Sequence, residues 1–105
     1  MIKLTTQKEF NDFIKNNDVC CAKFGADWCG PCKTLNRMLD EIEKTDISYK
    51  IAECDIDDDE ILNIAHEIGV RNIPFICFYK NGELKDVHQG VITALELNNK
   101  VNSLE

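Results

Sequence analysis

Cys29 and Cys32 are separated by two residues in the segment Trp28-Cys29-Gly30-Pro31-Cys32-Lys33. On a helical turn, residues three apart share a face, about 5 to 6 Å apart at Cβ. From that separation a disulfide opens and closes with little backbone movement. As a staple the bridge would be weak. Closing a four-residue loop is worth roughly 2 kcal/mol on the chain-entropy formula, against about 3 kcal/mol for fifteen residues. The spacing therefore favours redox exchange over stabilisation. Pro31 suits the first turn of a helix, where its missing N–H would be unpaired anyway. Cys29 then lies at the helix N-terminus, where free N–H groups and the positive end of the macrodipole favour thiolate over thiol. Cys29 is read as the attacking sulfur, and Cys32, deeper in the turn, as the one that closes the disulfide and releases the product. Lowering a thiol pKa from about 8.5 to about 7 raises the thiolate fraction near neutrality roughly sixteenfold, but weaker basicity takes back about four- to sixfold. Positioning must supply most of the remaining rate.

The elements that hold this pair follow from the pattern on either side. Val19 to Phe24 is a near-continuous apolar run of strand length, interrupted only by Lys23, as expected for a strand covered on both faces. Leu35, Met38, Leu39 and Ile42 recur at helical spacing and predict a helix from about Pro31 to Lys44. Upstream, Ile2 to Thr5 reads as a short strand, and Thr6 with Glu9 caps a helix to about Asn16. Downstream, Tyr49 to Asp55 predicts a strand, Asp57 with Glu60 a capped helix, and Gly69 its end. Asn81-Gly82 joins two antiparallel strands, Phe75 to Lys80 and Glu83 to His88. Thr93 with Glu96 opens a last helix through Val101. The order βαβαβαββα implies one α/β domain over residues 1–105, with a parallel core and an antiparallel hairpin at one side.

The remaining chemistry is sparse. Cys20, Cys21, Cys54 and Cys77 sit in apolar surroundings and read as small core hydrophobes. A zinc site would need a second Cys or His pair at ligand spacing, which is missing, so no metal and no cofactor are expected. The acidic stretch Asp55 to Glu60 reads as a solvated turn, and His66 and His88 have no motif around them. The net charge of −7 repels phosphate backbones and anionic lipid, so neither nucleic acid nor membrane is an expected partner. No apolar run approaches the eighteen or so residues of a spanning helix, and Met1 to Thr5 is not followed by a secretory h-region, which makes the cytoplasm the expected address.

The Trp28-Cys29-Gly30-Pro31-Cys32-Lys33 segment at a strand-to-helix junction resembles the active-site motif of the thioredoxin family. So do Asp55-Ile56-Asp57, Val70-Arg71-Asn72-Ile73-Pro74, Lys80-Asn81-Gly82 and Gly90, and the likeness covers about residues 2 to 101. The resemblance implies the thioredoxin fold, a mixed five-stranded sheet of order 1-3-2-4-5 flanked by four helices, and a cis peptide at Ile73-Pro74 facing the cysteines. It implies a protein-disulfide reductase, acting as a monomer on disulfide-containing proteins and recycled by an NADPH-dependent thioredoxin reductase. By the same resemblance Ile73 pairs through its backbone with substrate. Trp28, Gly30, Pro31, Ile56, Ile73, Gly90 and Val91 make an apolar contact surface around Cys29.

Other positions depart from the family pattern. Six residues before the nucleophile, where the family commonly has a buried aspartate that exchanges protons with the resolving cysteine, this chain has Lys23. The customary lysine partner on the neighbouring strand is replaced by Glu53. A lone charge in a central strand is costly, so Lys23 and Glu53 are expected to pair, and either is a candidate for the proton of Cys32. Gly25 stands in place of a frequent aromatic, and Phe75 in place of the threonine often found after the proline. Two alternatives remain open at this point. One is a binding module that uses the same apolar face, with incidental cysteines. The other is an oxidase or isomerase, distinguished by its equilibrium potential against glutathione.

Overall fold

The computed structural model describes all 105 residues. Its elements run β1 (Ile2–Leu4), α1 (Gln7–Asn16), β2 (Val19–Gly25), α2 (Gly30–Glu43), β3 (Lys50–Asp55), α3 (Asp59–Ile68), β4 (Phe75–Lys80), β5 (Glu83–Gln89) and α4 (Ala94–Asn102). The sheet order is β1-β3-β2-β4-β5. β2 lies at the centre, parallel to β3 and antiparallel to β4. No helix is long and apolar enough to cross a membrane.

Alternation along β2 divides its side chains between two layers. Cys20, Ala22 and Phe24 join Phe10 and Phe13 of α1 and Ile61, Ile64 and Ala65 of α3. Cys21 joins Leu35, Leu39 and Ile42 of α2 and Leu97 and Val101 of α4 on the other face. Because both faces are covered, the strand reads as a continuous apolar run rather than as an alternation with polar residues. Lys23 falls two residues after Cys21 and so lies on the α2 side.

Local chemistry accounts for most boundaries. Thr6 and Thr93 each form a full capping box, with Glu9 and Glu96 returning the hydrogen bond. Gly69 closes α3 at φ 95°, a left-handed conformation that glycine adopts without a Cβ penalty. Asn81 and Gly82 both have positive φ and turn β4 into β5.

The start of α3 differs from the expectation. Its N-cap is Asp58, not Asp57, and Asp58 makes no side-chain cap bond. Asp57 N–H instead donates to Asp55 Oδ1 at 2.9 Å, and Glu60 Oε1 accepts from Gln7 N–H of α1 at 3.1 Å. A carboxylate two residues upstream and a backbone N–H of α1 thus claim the groups that would have made the box. The contrast is measurable by urea unfolding: Thr6→Ala is expected to cost about 1 kcal/mol, and Asp58→Ala less than half of that.

Candidate active site

The sheet delivers the two cysteines through the turn that follows β2. Ile56 N–H donates to Gly25 O at 3.0 Å and ties the ends of β2 and β3 together. Cys29 N–H then closes a turn onto Ala26 O at 3.2 Å. Cys29 is the N-cap of α2, with extended backbone angles, and Pro31 lies in the first turn as expected. The Cys32 backbone N–H donates to Cys29 Sγ at 3.2 Å, so the sulfur takes the position that a serine or aspartate oxygen usually fills at a helix start.

Cys29 and Cys32 form a disulfide, with their Cα atoms 5.2 Å apart. The two sulfurs differ in environment: Cys29 retains 7% exposure and Cys32 none. Ala26 packs with both, and Ile56 and Ile73 close over them. The Ile73–Pro74 bond is cis, Pro74 is buried, and Gly90 N–H donates to Pro74 O at 2.8 Å. Gly30 and Pro31, between the cysteines, and Val91, after Gly90, are exposed, and Trp28 is 68% exposed. Trp28, Ile56, Val70 and Ile73 border a depression of about 210 Å³.

One part of this arrangement was not visible beforehand. The Trp28 indole Nε1 donates to both carboxylate oxygens of Asp57, at 3.3 and 3.2 Å. An exposed ring is thereby held by a residue 29 positions away. The residues quoted on each side did mark the segment, but only the β2–β3 adjacency brings them together.

Lys23 and Glu53 are register neighbours on β2 and β3, as the expected pairing requires, yet no ion pair forms between them. Asn36 Nδ2 of α2 donates to Glu53 Oε1 at 3.5 Å, while Lys3 of β1 is the register neighbour of Glu53 on its other side. Lys23 is 1% exposed. Burial pulls its ammonium pKa below the ordinary lysine value, against the opposing pull of Glu53 and Asp55.

Similarity to known proteins follows the same layout. The family model described as Thioredoxin matches residues 1–103. The chain belongs to the thioredoxin family. A thioredoxin of Rickettsia felis is 38% identical over 92 residues, covering 87% of this chain and 87% of that protein. The oxidised form of mitochondrial thioredoxin 3 from Saccharomyces cerevisiae superposes with a TM-score of 0.86 at 32% identity, covering 99% of this chain and 95% of that one. A mutant thioredoxin from Halobacterium salinarum gives a TM-score of 0.89 at 28% identity, covering 98% of this chain and 88% of that one. As a member of the family, with its cysteine pair at bonding distance, the chain is a thiol-disulfide oxidoreductase with Cys29–Cys32 as its redox centre.

The other four cysteines are free and buried. Burial pushes the Cys20 thiol up to about 11 and the Cys77 thiol up to about 12, and it raises Cys21 and Cys54 as well. Neither thiolate character nor access is available to them. Alkylation at about pH 8 followed by mass spectrometry is expected to leave the native oxidised protein unmodified and to label four cysteines once denaturant is added. After reduction of the native protein, Cys29 reacts first.

Lys23→Met is expected to raise the unfolding free energy of the oxidised protein by about 1 kcal/mol at pH values below the lowered pKa of Lys23, where it removes a buried ammonium that lacks an ion pair. The sign follows from the lowered folded-state pKa. Below that pKa both states carry the charge and the burial cost is complete. As pH rises from there toward the unfolded value of 10.5, the unfolded chain binds more protons and the wild type gains stability. The advantage of Met therefore shrinks with rising pH, which urea unfolding across a pH series checks.

Proposed function

We propose that this chain is a protein-disulfide reductase in which Cys29 attacks and Cys32 resolves, working as a single-domain monomer of the cytoplasm. Electrons come from an NADPH-dependent thioredoxin reductase. The observation that carries the assignment of roles is the asymmetry of the two sulfurs. Cys29 keeps the exposure and accepts a backbone N–H at the N-terminus of α2, while Cys32 is fully enclosed. Those N–H groups favour negative charge on the Cys29 sulfur once the disulfide is reduced.

In the first step the Cys29 thiolate attacks one sulfur of a substrate disulfide. The substrate S–S bond breaks, and the departing substrate thiolate takes up a proton. In the second step Cys32 attacks Cys29 Sγ, the Cys29–substrate bond breaks, and its electron pair leaves with the second substrate sulfur. The substrate has gained two electrons and two protons, and the Cys29–Cys32 disulfide has formed. The reductase then restores the dithiol.

Substrate is held, on this reading, by the apolar surface around the disulfide. Trp28 and Val91 are exposed, Ile56 and Ile73 pack against the cysteine pair, and the Pro74 carbonyl, engaged by Gly90 N–H, fixes the loop behind them. The Ile73 backbone is proposed to pair with an extended segment of the target, in the manner of strand addition. Gly30 and Pro31 keep the approach to Cys29 free of bulky side chains.

The test is reduction of a protein disulfide with dithiothreitol as donor. Wild type is expected to turn over, and Cys29→Ser to fall to the uncatalysed rate. Cys32→Ser is expected to complete the first attack and accumulate a mixed disulfide on Cys29. Trapping by Cys29→Ser instead of Cys32→Ser would reverse the roles, and absence of turnover by the wild type would remove the reductase reading.

A further inference from the structure

Lys23 is the most deeply buried charged side chain of the chain, and the thiol chemistry above does not use it. A purely structural account would give it an ion-pair partner, since an unpaired buried ammonium is costly. It forms none. Its register neighbour on β4 is Ile76, which offers no polar group.

Gly25 reveals where the amine goes instead. A Cβ at that glycine would lie 2.5 Å from Lys23 Nζ and 3.0 Å from Cys32 Sγ. The nitrogen and the sulfur therefore border one space, and their separation cannot exceed those two distances together. Any side chain at position 25 would push into this space. Lys23 and Gly25 are thus two halves of one feature: the lysine supplies a long chain ending in a titratable amine, and the glycine leaves the room that its head occupies beside Cys32.

The charges around the amine complete the picture. Glu53 and Asp55 of β3 and Asp27 of the turn before α2 favour the ammonium, while burial opposes it. Cys54 of β3 is a buried thiol, and α2 contributes Cys32 itself. In the oxidised protein Cys32 is part of a disulfide and offers no negative charge. In the reduced protein it can gain such a charge by giving up a proton, as Cys29 can, and it is the Cys32 sulfur that borders the space holding the amine.

We propose that Lys23 exchanges a proton with Cys32, taking the thiol's proton when the disulfide is opened and returning it to solvent when the disulfide closes. The proposal rests on the resolving role assigned to Cys32 above. In the dithiol form the pair is an ammonium and a thiolate, so Cys32 is ready to attack once a mixed disulfide forms on Cys29. As Cys32 Sγ bonds to Cys29 Sγ, the electron pair of the Cys29–substrate bond leaves with the substrate sulfur, which is protonated from solvent. The ammonium has then lost its counter-charge and releases its proton. Atoms and electrons balance with no group beyond those of the disulfide exchange itself.

Stopped-flow mixing of the reduced protein with Ellman's reagent separates the two steps. One thionitrobenzoate is released when Cys29 attacks and a second when Cys32 resolves. Lys23→Met is expected to leave the first release fast and to slow the second about tenfold or more near neutrality, the factor for one pKa unit. The slowed phase should recover as pH rises through the range of an ordinary thiol. An unchanged second phase would overturn the proposal while leaving the reductase reading intact. Loss of a fast first phase in the wild type would instead strike that reading. A second measurement needs no variant: the Lys23 Cε resonance of the wild type is titrated by NMR in both redox states. A higher midpoint in the reduced protein is expected, and equal midpoints would overturn the proposal.

Discussion

The hydrogen bond from Cys32 N–H to Cys29 Sγ forms only because β2 ends at Gly25 and α2 begins at Gly30. Between them the turn from Ala26 to Cys29 places one sulfur at the helix terminus and the other inside it. β2 holds that endpoint because it is paired on both edges and packed on both faces. Exposure of Cys29, enclosure of Cys32 and the donors aimed at the first sulfur are all inherited from this junction. The chemistry is thus set by backbone position before any side chain other than the cysteines contributes.

Around the junction, burial has opposite effects on sulfur and on nitrogen. It raises the pKa of the four core thiols and so silences them. It lowers that of Lys23 and so brings an amine toward the range in which protons exchange. A single low-dielectric core thereby makes Cys20, Cys21, Cys54 and Cys77 inert and holds the Lys23 pKa below that of a surface lysine. Position alone separates these from the cysteine pair.

Much of this was legible in the residues. Two threonine capping boxes, the Asn81-Gly82 turn, the apolar run of β2 and the cysteine spacing are local signals, and each was realised where it stands. The sheet order and the cis bond at Ile73–Pro74 came through family resemblance, not from local pattern. Local reading failed where distant groups compete for the same atoms. Asp57 was taken for a helix cap, yet its carboxylate holds Trp28, and Glu60 is taken up by α1. The adjacency of Lys23 and Glu53 was foreseen correctly, but adjacency on two strands does not determine where a four-carbon chain places its head. That depended on the space at Gly25, which only the packing of α2 against the sheet defines.

The four enclosed thiols have a consequence for how the molecule fails. While it is folded they cannot meet the Cys29–Cys32 bridge, because the core that hides them also keeps them protonated. Once the chain opens, each becomes an ordinary mercaptan tethered to a disulfide that it is free to attack. Denaturation on the alkaline side therefore invites scrambled, non-native pairings that block return to the starting state, whereas acid suppresses them. Endurance under heat or denaturant then becomes a matter of how seldom the core opens, a rate rather than an equilibrium.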